Sequence, residues 1–252
     1  MSGMRLPRQW RLLAALMLLL LGGAGAALAQ DLPLVNATNR GGTTQYSVPV
    51  QTLLGLTALT FLPAALMLMT SFTRILIVFS LLRQALGLQS MPPNMVLTGL
   101  ALFLTLFIMY PVGSVMYTEA YLPLTAGRLG FEEALSKAVV PLREFMLNQT
   151  RTEDINVFAR MFSQPIASRA ETPMAVLIPA FAVSEIKTGF LIGFMIYLPF
   201  LAIDFAVASI LTSLGMVMVS PMMFSLPLKL VIFAMADGWS LLAASLVASY
   251  KV

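Results

Sequence analysis

The chain has 252 residues, of which 59% are hydrophobic and only 10% charged, and its mean hydropathy is +0.88. This composition excludes an ordinary soluble protein and indicates an integral membrane protein. The sequence contains no Cys and no His, which excludes thiol nucleophiles, disulfides, Cys/His zinc clusters, Ser-His-Asp triads and His-ligated haem. The net charge is +4, so the position of the cations decides whether an anionic partner is expected.

Residues 1–29 have the layout of a cleavable signal peptide. Three arginines at positions 5, 8 and 11 precede an apolar run over 12–21, and small residues end at Ala27-Leu28-Ala29. The alternative is an uncleaved first membrane helix, but the apolar run is short for a span of about 20 residues. Cleavage leaves twelve cations and eleven anions, so the mature chain is nearly neutral and nucleic acid is not an expected partner.

We predict that the mature protein begins at or close to Gln30. The intact mass of the protein extracted from membranes is the measurement. A mass that still includes residues 1–29 would contradict the prediction.

The next two regions differ in polarity. Residues 30–47 are polar and predict a flexible leader outside the membrane, whereas 48–118 form an apolar amino-terminal region with Arg74 and Arg83 as its charges. Two helical segments that break near 70–73 fit this length better than a single span. Gly87 and the pair Pro92-Pro93 predict the end of one helix and the start of another over 94–109.

Residues 119–172 predict a water-facing helical insert, because 119–171 contain seven acids and six bases. Its first helix is expected to be amphipathic, with a second segment starting at Pro141. Thr152 is expected to be the N-cap of a further helix. We interpret the insert as a helical hairpin that packs on itself or on a neighbouring copy. The two predicted apolar stripes are Phe131, Leu135, Ala138, Leu142 and Phe145, and then Ile155, Phe158 and Phe162.

The last region, 173–252, is apolar but contains single ionisable side chains. A charge at the bilayer centre costs at least about 2.5–3.5 kcal/mol, so each must pair, face a wet cavity or leave the hydrocarbon. Glu185 or Asp204 could pair with Lys187 or Lys229, either structurally or as part of a conducting path. A further acid, Asp237, lies near the end.

Glycine and proline recur through the same region and predict broken rather than straight helices. Residues 215–224 read GMVMVSPMMF. Methionine is flexible and polarizable, so a ring of methionines could close a hole and still deform; the alternative is ordinary core or lipid-facing methionine. The glycines and prolines concerned are Gly189, Gly193, Pro199, Gly215, Pro221 and Pro227.

Several motifs then resemble one known family. Residues 179–190 read PAFAVSEIKTGF, 199–209 read PFLAIDFAVAS and 214–216 read LGM. Further matches are FTRI from 72, LRQALGLQSMPPN from 82, LPLKL from 226 and DGW from 237. Over about residues 48–250 the chain resembles the FliP family of flagellar export-gate proteins, whose injectisome relatives are called SctR.

The resemblance implies an all-α fold: a multi-span, membrane-derived protein of broken helices and helical hairpins that assembles into a helical export-gate complex. It implies five copies together with FliQ and one FliR around a pore for unfolded flagellar substrates. FlhB and FlhA are further partners in the apparatus. The implied location is the bacterial inner membrane, in contact with lipid, and the flagellar basal body, with the insert in the periplasm.

The resemblance also implies roles for individual residues. Met216, Val217 and Met218 match the family's methionine-rich gasket loop, although Val217 stands where relatives often have methionine, so an apolar seal is implied rather than a strict three-methionine one. The flanks of this loop are Gly215, Pro221, Met222 and Met223. The charges implied in assembly or gating are Glu185, Lys187, Asp204 and Lys229.

No enzyme activity or cofactor is expected. The sequence has no G-x-x-x-x-G-K-[ST] loop to bind phosphates, and the resemblance implies that FlhA and an associated ATPase drive export. One alternative is an intramembrane aspartyl protease using Asp204 and Asp237. The presenilin-like motif of such proteases has a glycine two residues before the second aspartate, and this chain has no glycine there. Another alternative is an ion transporter, but the sequence has no evident inverted repeat, which many transporters contain. Within the family, the signal peptide and leader favour a flagellar over an injectisome subunit.

Hydropathy also makes a prediction about topology. A cleaved signal places the mature amino terminus outside, Arg74 and Arg83 inside by the positive-inside rule, and the charged insert outside. Four apolar regions would return the carboxyl terminus to the outside. The resemblance modifies this prediction, because the family's helical hairpins leave the bilayer plane on assembly.

Overall fold

The structure, a computed structural model, describes residues 36–40, 43–47, 56–57, 59–60, 63–64, 67–162, 168–216 and 218–250. The predicted signal peptide therefore lies outside the described residues. The chain forms two compact units, residues 1–63 and 64–252.

The first unit contains a β-hairpin. Strand β1 (Asn36–Arg40) pairs antiparallel with β2 (Thr43–Ser47), with Arg40 opposite Thr43. The two strands are connected by Gly41-Gly42, a pair favoured in two-residue hairpin connections. This hairpin lies within the predicted leader, 30–47, whose threonines and Tyr46 suit strands, and the described elements that follow it are helical, as predicted for an all-α fold.

The described part of the second unit is helical. Its first helices are α1 (Phe72–Ala85), α2 (Asn94–Ile108) and α3 (Tyr110–Met116). A π-helical stretch (Tyr117–Tyr121) leads into the short α4 (Leu122–Thr125). The insert continues with α5 (Phe131–Gln149), α6 (Thr152–Met161) and a 3₁₀ turn (Arg169–Glu171). The last helices are α7 (Met174–Ser213), α8 (Met222–Met235) and α9 (Gly238–Ala248).

The predicted boundaries of the first two helices are confirmed. Helix α1 ends at Ala85, and α2 begins directly after Pro93. Gly87 adopts a positive φ of 78°, which glycine tolerates and which ends a helix readily. The turn and the proline pair thus separate α1 from α2 as expected.

The predicted break inside α7 is wrong. This helix runs through 40 residues, including Pro179 and Pro199 as well as Gly189 and Gly193. A proline removes one helical hydrogen bond, but an apolar environment offers no water to replace the remaining ones, so the helix persists. The breaks come later, between α7 and α8 and between α8 and α9.

Two predictions about the insert also need correction. Helix α5 is continuous through Pro141, and Arg151 rather than Thr152 is the N-cap of α6. The predicted stripe of α5 is only half buried, because Phe131 and Leu135 are exposed. The buried side of α5 comprises Ala134, Pro141, Leu142, Phe145 and Met146.

The core lies between α1 and α7. Helix α1 buries residues at a three-four spacing that matches one helical face. Two glycines of α7 let the helices approach closely: a Cβ added at Gly189 would lie 3.2 Å from Ile77 Cβ, and one at Gly193 would lie 2.8 Å from Leu81 Cβ. The buried face of α1 comprises Phe72, Ile75, Val78, Phe79 and Leu82.

We expect Gly193→Ala to destabilise the chain by about 1–3 kcal/mol, because Leu81 has to move. Gly99→Ala is the matched control: a Cβ there meets nothing within 4 Å, and alanine favours a helix. Thermal unfolding of both variants in detergent is the measurement. Equal stability of the two variants would contradict the close α1–α7 contact.

By length and composition, one helix in the described part of the chain, α7, can cross a membrane alone. Helix α2 together with residues 110–125, and α8 together with α9, qualify as pairs bent by 56° and 63°. The described helices therefore supply one to three spans. At 1.5 Å per residue α7 is about 60 Å long, about twice the hydrocarbon thickness, so part of it extends beyond the hydrocarbon.

Candidate functional site

The segment that leads from the end of α7 into the first residues of α8, residues 214–223, is called the methionine segment here. Gly215 has a positive φ of 76° and turns the chain out of α7. Met216 N–H donates to Leu211 O at 2.9 Å, which satisfies one of the free carbonyls at the helix end. Pro221 is the N-cap of α8. Gly215 therefore lies where the chain leaves α7, and Pro221 lies where it enters α8.

The methionines of this segment project from the unit. Met218 is 99% exposed, Met216 40%, Met222 53% and Met223 74%. Val217 lies outside the described residues. Four flexible apolar side chains therefore form an exposed surface where α7 ends and α8 begins.

The methionine segment lies against the turn that follows α1. Residues 87–91 line one shallow cleft of about 360 Å³ together with Ser220, Met222, Met223 and Leu226. Arg83 holds the turn, because its Nη1 donates to Pro92 O at 3.2 Å and to Asn94 Oδ1 at 2.6 Å. This contact gives Arg83 a structural role.

Asp204 and Lys229 form an ion pair between α7 and α8. Lys229 Nζ lies 2.6 Å from Asp204 Oδ2 and donates to Ala85 O at 3.0 Å. The lysine side chain is 6% exposed and the aspartate 34%. The pair thus joins α7 and α8 to the end of α1, and the sequence had left this pairing among several alternatives.

Glu185 has a partner that the sequence pairings did not include. Its carboxylate accepts two hydrogen bonds from Arg74, one from Nη2 to Oε1 and one from Nε to Oε2 at 2.9 Å. Glu185 is fully buried and Arg74 is 3% exposed. The sequence does indicate that Arg74 needs a partner, because it is an isolated cation in an apolar stretch. It does not indicate which acid lies near Arg74 in the fold.

Lys187 also pairs outside the expected set. Its amine binds Asp154 of α6, which is 2% exposed. Arg151 adds two bonds to α7: its N–H donates to Ser184 Oγ at 3.0 Å and its Nη2 to Thr188 Oγ1 at 3.2 Å. The charged insert is therefore attached to the first part of α7 by polar contacts.

Two further arginines connect parts of the insert through hydrogen bonds to backbone carbonyls. Arg169 Nη2 donates to Leu147 O and Thr150 O, both at 2.6 Å, at the end of α5, where a cation is favoured by the helix dipole. Arg143 Nη2 donates to Ala170 O at 2.6 Å and Thr172 O at 2.8 Å. Sequence patterns did not indicate these contacts, because the acceptors are backbone carbonyls.

Asp237 connects α8 and α9. Its φ of 48° is left-handed, a conformation that Asp tolerates better than most residues. Its Oδ1 accepts a hydrogen bond from Ser240 Oγ at 3.0 Å. Because Asp204 binds an ammonium group and Asp237 binds a hydroxyl, these contacts do not favour a protease dyad.

Comparison with known proteins decides the family. The family model described as "FliP family" matches residues 55–246. The chain belongs to the FliP family. The match includes the methionine segment and all the ion pairs described above.

Relatives in this family cover most of the chain. A protein named flagellar biosynthetic protein FliP from Pectobacterium carotovorum is 53% identical over 210 residues, 83% of this chain and 81% of that protein. The relative of the same name from Bacillus subtilis is 47% identical over 219 residues, 86% and 98% of the two chains. One from Buchnera aphidicola (Acyrthosiphon pisum) is 52% identical over 211 residues, 83% of this chain but 56% of that protein. The chain thus spans little more than half the length of the Buchnera relative.

Proposed function

We propose that this chain is a core subunit of the flagellar protein export gate, which forms the passage and the seal for unfolded flagellar proteins at the bacterial inner membrane. The FliP-family relatives carry the name flagellar biosynthetic protein. The observation that carries the proposal is the methionine segment: an exposed, deformable apolar turn placed between two apolar helices, within the matched family region.

Large exposed apolar faces support assembly with other chains. On α7, Phe190, Phe194 and Phe205 are each more than half exposed, as are Phe103 and Phe107 on α2. Contiguous apolar faces need a lipid or protein partner. We propose that lipid and further copies, five in all, cover them together with FliQ and FliR, and that FlhB and FlhA associate with this assembly.

The polar contacts between the insert and α7 support a periplasmic insert. Lys187 and Arg151 connect α7 to a charged hairpin, and water-facing helices are not expected to lie in hydrocarbon. The first part of α7 therefore emerges from the bilayer on the side of the insert. A cleaved signal peptide together with two crossings before the insert, as hydropathy predicts, places that side in the periplasm.

Deleting the chain in the bacterium that encodes it is expected to abolish flagellin release into the medium, and a plasmid copy is expected to restore it. A tagged copy is expected to co-purify with FliQ and FliR. Flagellin is measured by immunoblot of culture supernatant, with injectisome substrates as the comparison where the bacterium has them. Undiminished flagellin release from the deletion strain would contradict the proposal.

A further inference from the structure

Tyr250, which follows the last helix, is buried inside the helical unit, whereas its neighbour Ser249 is exposed. Tyr250 is 7% exposed, and its hydroxyl lies 3.0 Å from Glu185 Oε2 and 3.2 Å from Ser71 O. Its ring stacks on Phe145 of the insert, with ring centres 6.1 Å apart and an angle of 18°. One side chain thus contacts the start of α1, the middle of α5 and the first part of α7.

The segment Ser249–Tyr250 also completes the environment of Arg74. The guanidinium carbon lies 3.9 Å from the centre of the Tyr250 ring, a cation–π contact that is strongest where water is excluded. Arg74 Nη1 donates to Ser249 Oγ at 3.1 Å, while its Nε and Nη2 bind Glu185. Without Ser249–Tyr250, the third nitrogen and one face of a buried cation lose their partners, which is costly in a low-dielectric site.

The protonation state of the phenol suits this role. Burial, and then the negative charge of Glu185, raise the pKa of Tyr250. The hydroxyl therefore remains a hydrogen-bond donor across the physiological range.

We propose that Ser249–Tyr250 is a latch that positions the Arg74–Glu185 pair and so fixes the insert relative to α1 and α7. Tyr250 is a positioning residue, because it acts through the ion pair. The latch is a property of the folded chain; its consequence for export rests on the proposed function, since a passage must keep its shape while a substrate moves through it.

Ser71 provides a reporter for the latch. Its side chain is fully buried, and its Oγ has no hydrogen-bond partner within the described structure, so Ser71→Cys changes little. The chain contains no other Cys, and a maleimide therefore reports on this position alone. In the purified chain in detergent, the cysteine is expected to be protected while Tyr250 is in place.

Tyr250→Ala is expected to raise the labelling rate at least about tenfold, which corresponds to about 1.4 kcal/mol in the free energy of opening. Tyr250→Phe keeps the ring and loses the hydroxyl, so a smaller increase is expected. The control is Tyr110→Ala, since Tyr110 is 49% exposed on α3, and unchanged labelling is expected there. If Tyr250→Ala does not give a monodisperse chain, the comparison rests on Tyr250→Phe and Ser249→Ala.

A variant without the ion pair shows whether Tyr250 acts by positioning the Arg74–Glu185 pair or only by packing against its neighbours. In an Arg74→Met, Glu185→Leu variant the ion pair is absent, so Tyr250→Phe is expected to raise labelling less than in the parent chain, because only the contact of the hydroxyl with Ser71 O is then lost. The same increase in both backgrounds would overturn the proposal, as would unchanged labelling in a folded Tyr250→Ala variant. Labelling requires no export, so failure of the latch and failure of the proposed function give different results.

Discussion

Asp204→Asn is expected to impair assembly and flagellin export more severely than Lys229→Met. Removing one member of a buried ion pair leaves the other uncompensated, at a cost of about 3–5 kcal/mol. The two members differ in burial, because the Lys229 side chain is 6% exposed and that of Asp204 34%. An unpaired Lys229 would keep only neutral acceptors, Ala85 O and the amide oxygen of the substituted asparagine, whereas an unpaired Asp204 can reach water, which reduces its cost.

The double variant Asp204→Asn, Lys229→Met is expected to recover part of the loss, because it leaves no unpaired charge. An exchange of the two charges is a weaker test, since a carboxylate at position 229 would face the carbonyl of Ala85. Lys137→Met is the matched control: Lys137 and Glu133 form a pair whose side chains are 46% and 57% exposed, and such pairs contribute at most about 1 kcal/mol. Complex recovery and flagellin release are measured for all four variants. A double variant no better than Asp204→Asn would contradict direct pairing.

Local sequence signals predicted the parts of the fold that depend on neighbouring residues. Gly87 follows the end of α1 and Pro93 precedes the start of α2. The chain leaves α7 at Gly215 and enters α8 at Pro221, because glycine tolerates positive φ and proline suits a helix start. The continuity of α7 was missed because its glycines and prolines were interpreted as breaks. Gly189 and Gly193 instead provide room for α1, and this function depends on a partner helix distant in the sequence.

The ion pairs show a similar limit. The cost of burying a charge predicts that Glu185 has a partner, but the sequence does not single out Arg74, 111 residues away, from nearer lysines. The contacts of Tyr250 could not be predicted from the sequence, because an aromatic residue near the end of an apolar region is common. Its importance comes from three contacts that only the folded chain brings together.

The second large effect is expected at the methionine segment. Replacing Met216, Val217 and Met218 by alanine removes most of the apolar volume of the turn, while the backbone positions of Gly215 and Pro221 are kept. Apolar constrictions exclude ions by dewetting, and flexible methionine can yield to a passing chain. We therefore expect the alanine variant to assemble but to leak ions.

Leucine at the same three positions is expected to keep the seal but slow export, because its branched side chain is less adaptable than methionine. Met161→Ala in the insert is the control for loss of an exposed methionine, since Met161 is 74% exposed. That variant is expected to change neither leakage nor export. Slower export with an intact seal in the leucine variant would show that export depends on the flexibility of the methionine side chains and not only on their hydrophobicity.

Small-ion conductance of cells that express each variant, measured together with recovery of the intact complex by co-purification, tests the proposed seal most directly. The account predicts a clear rise in conductance for the triple alanine variant, with the complex recovered in normal amount, and no rise for Met161→Ala. Unchanged conductance in a fully assembled alanine variant would contradict it and would mean that these methionines pack elsewhere in the assembly.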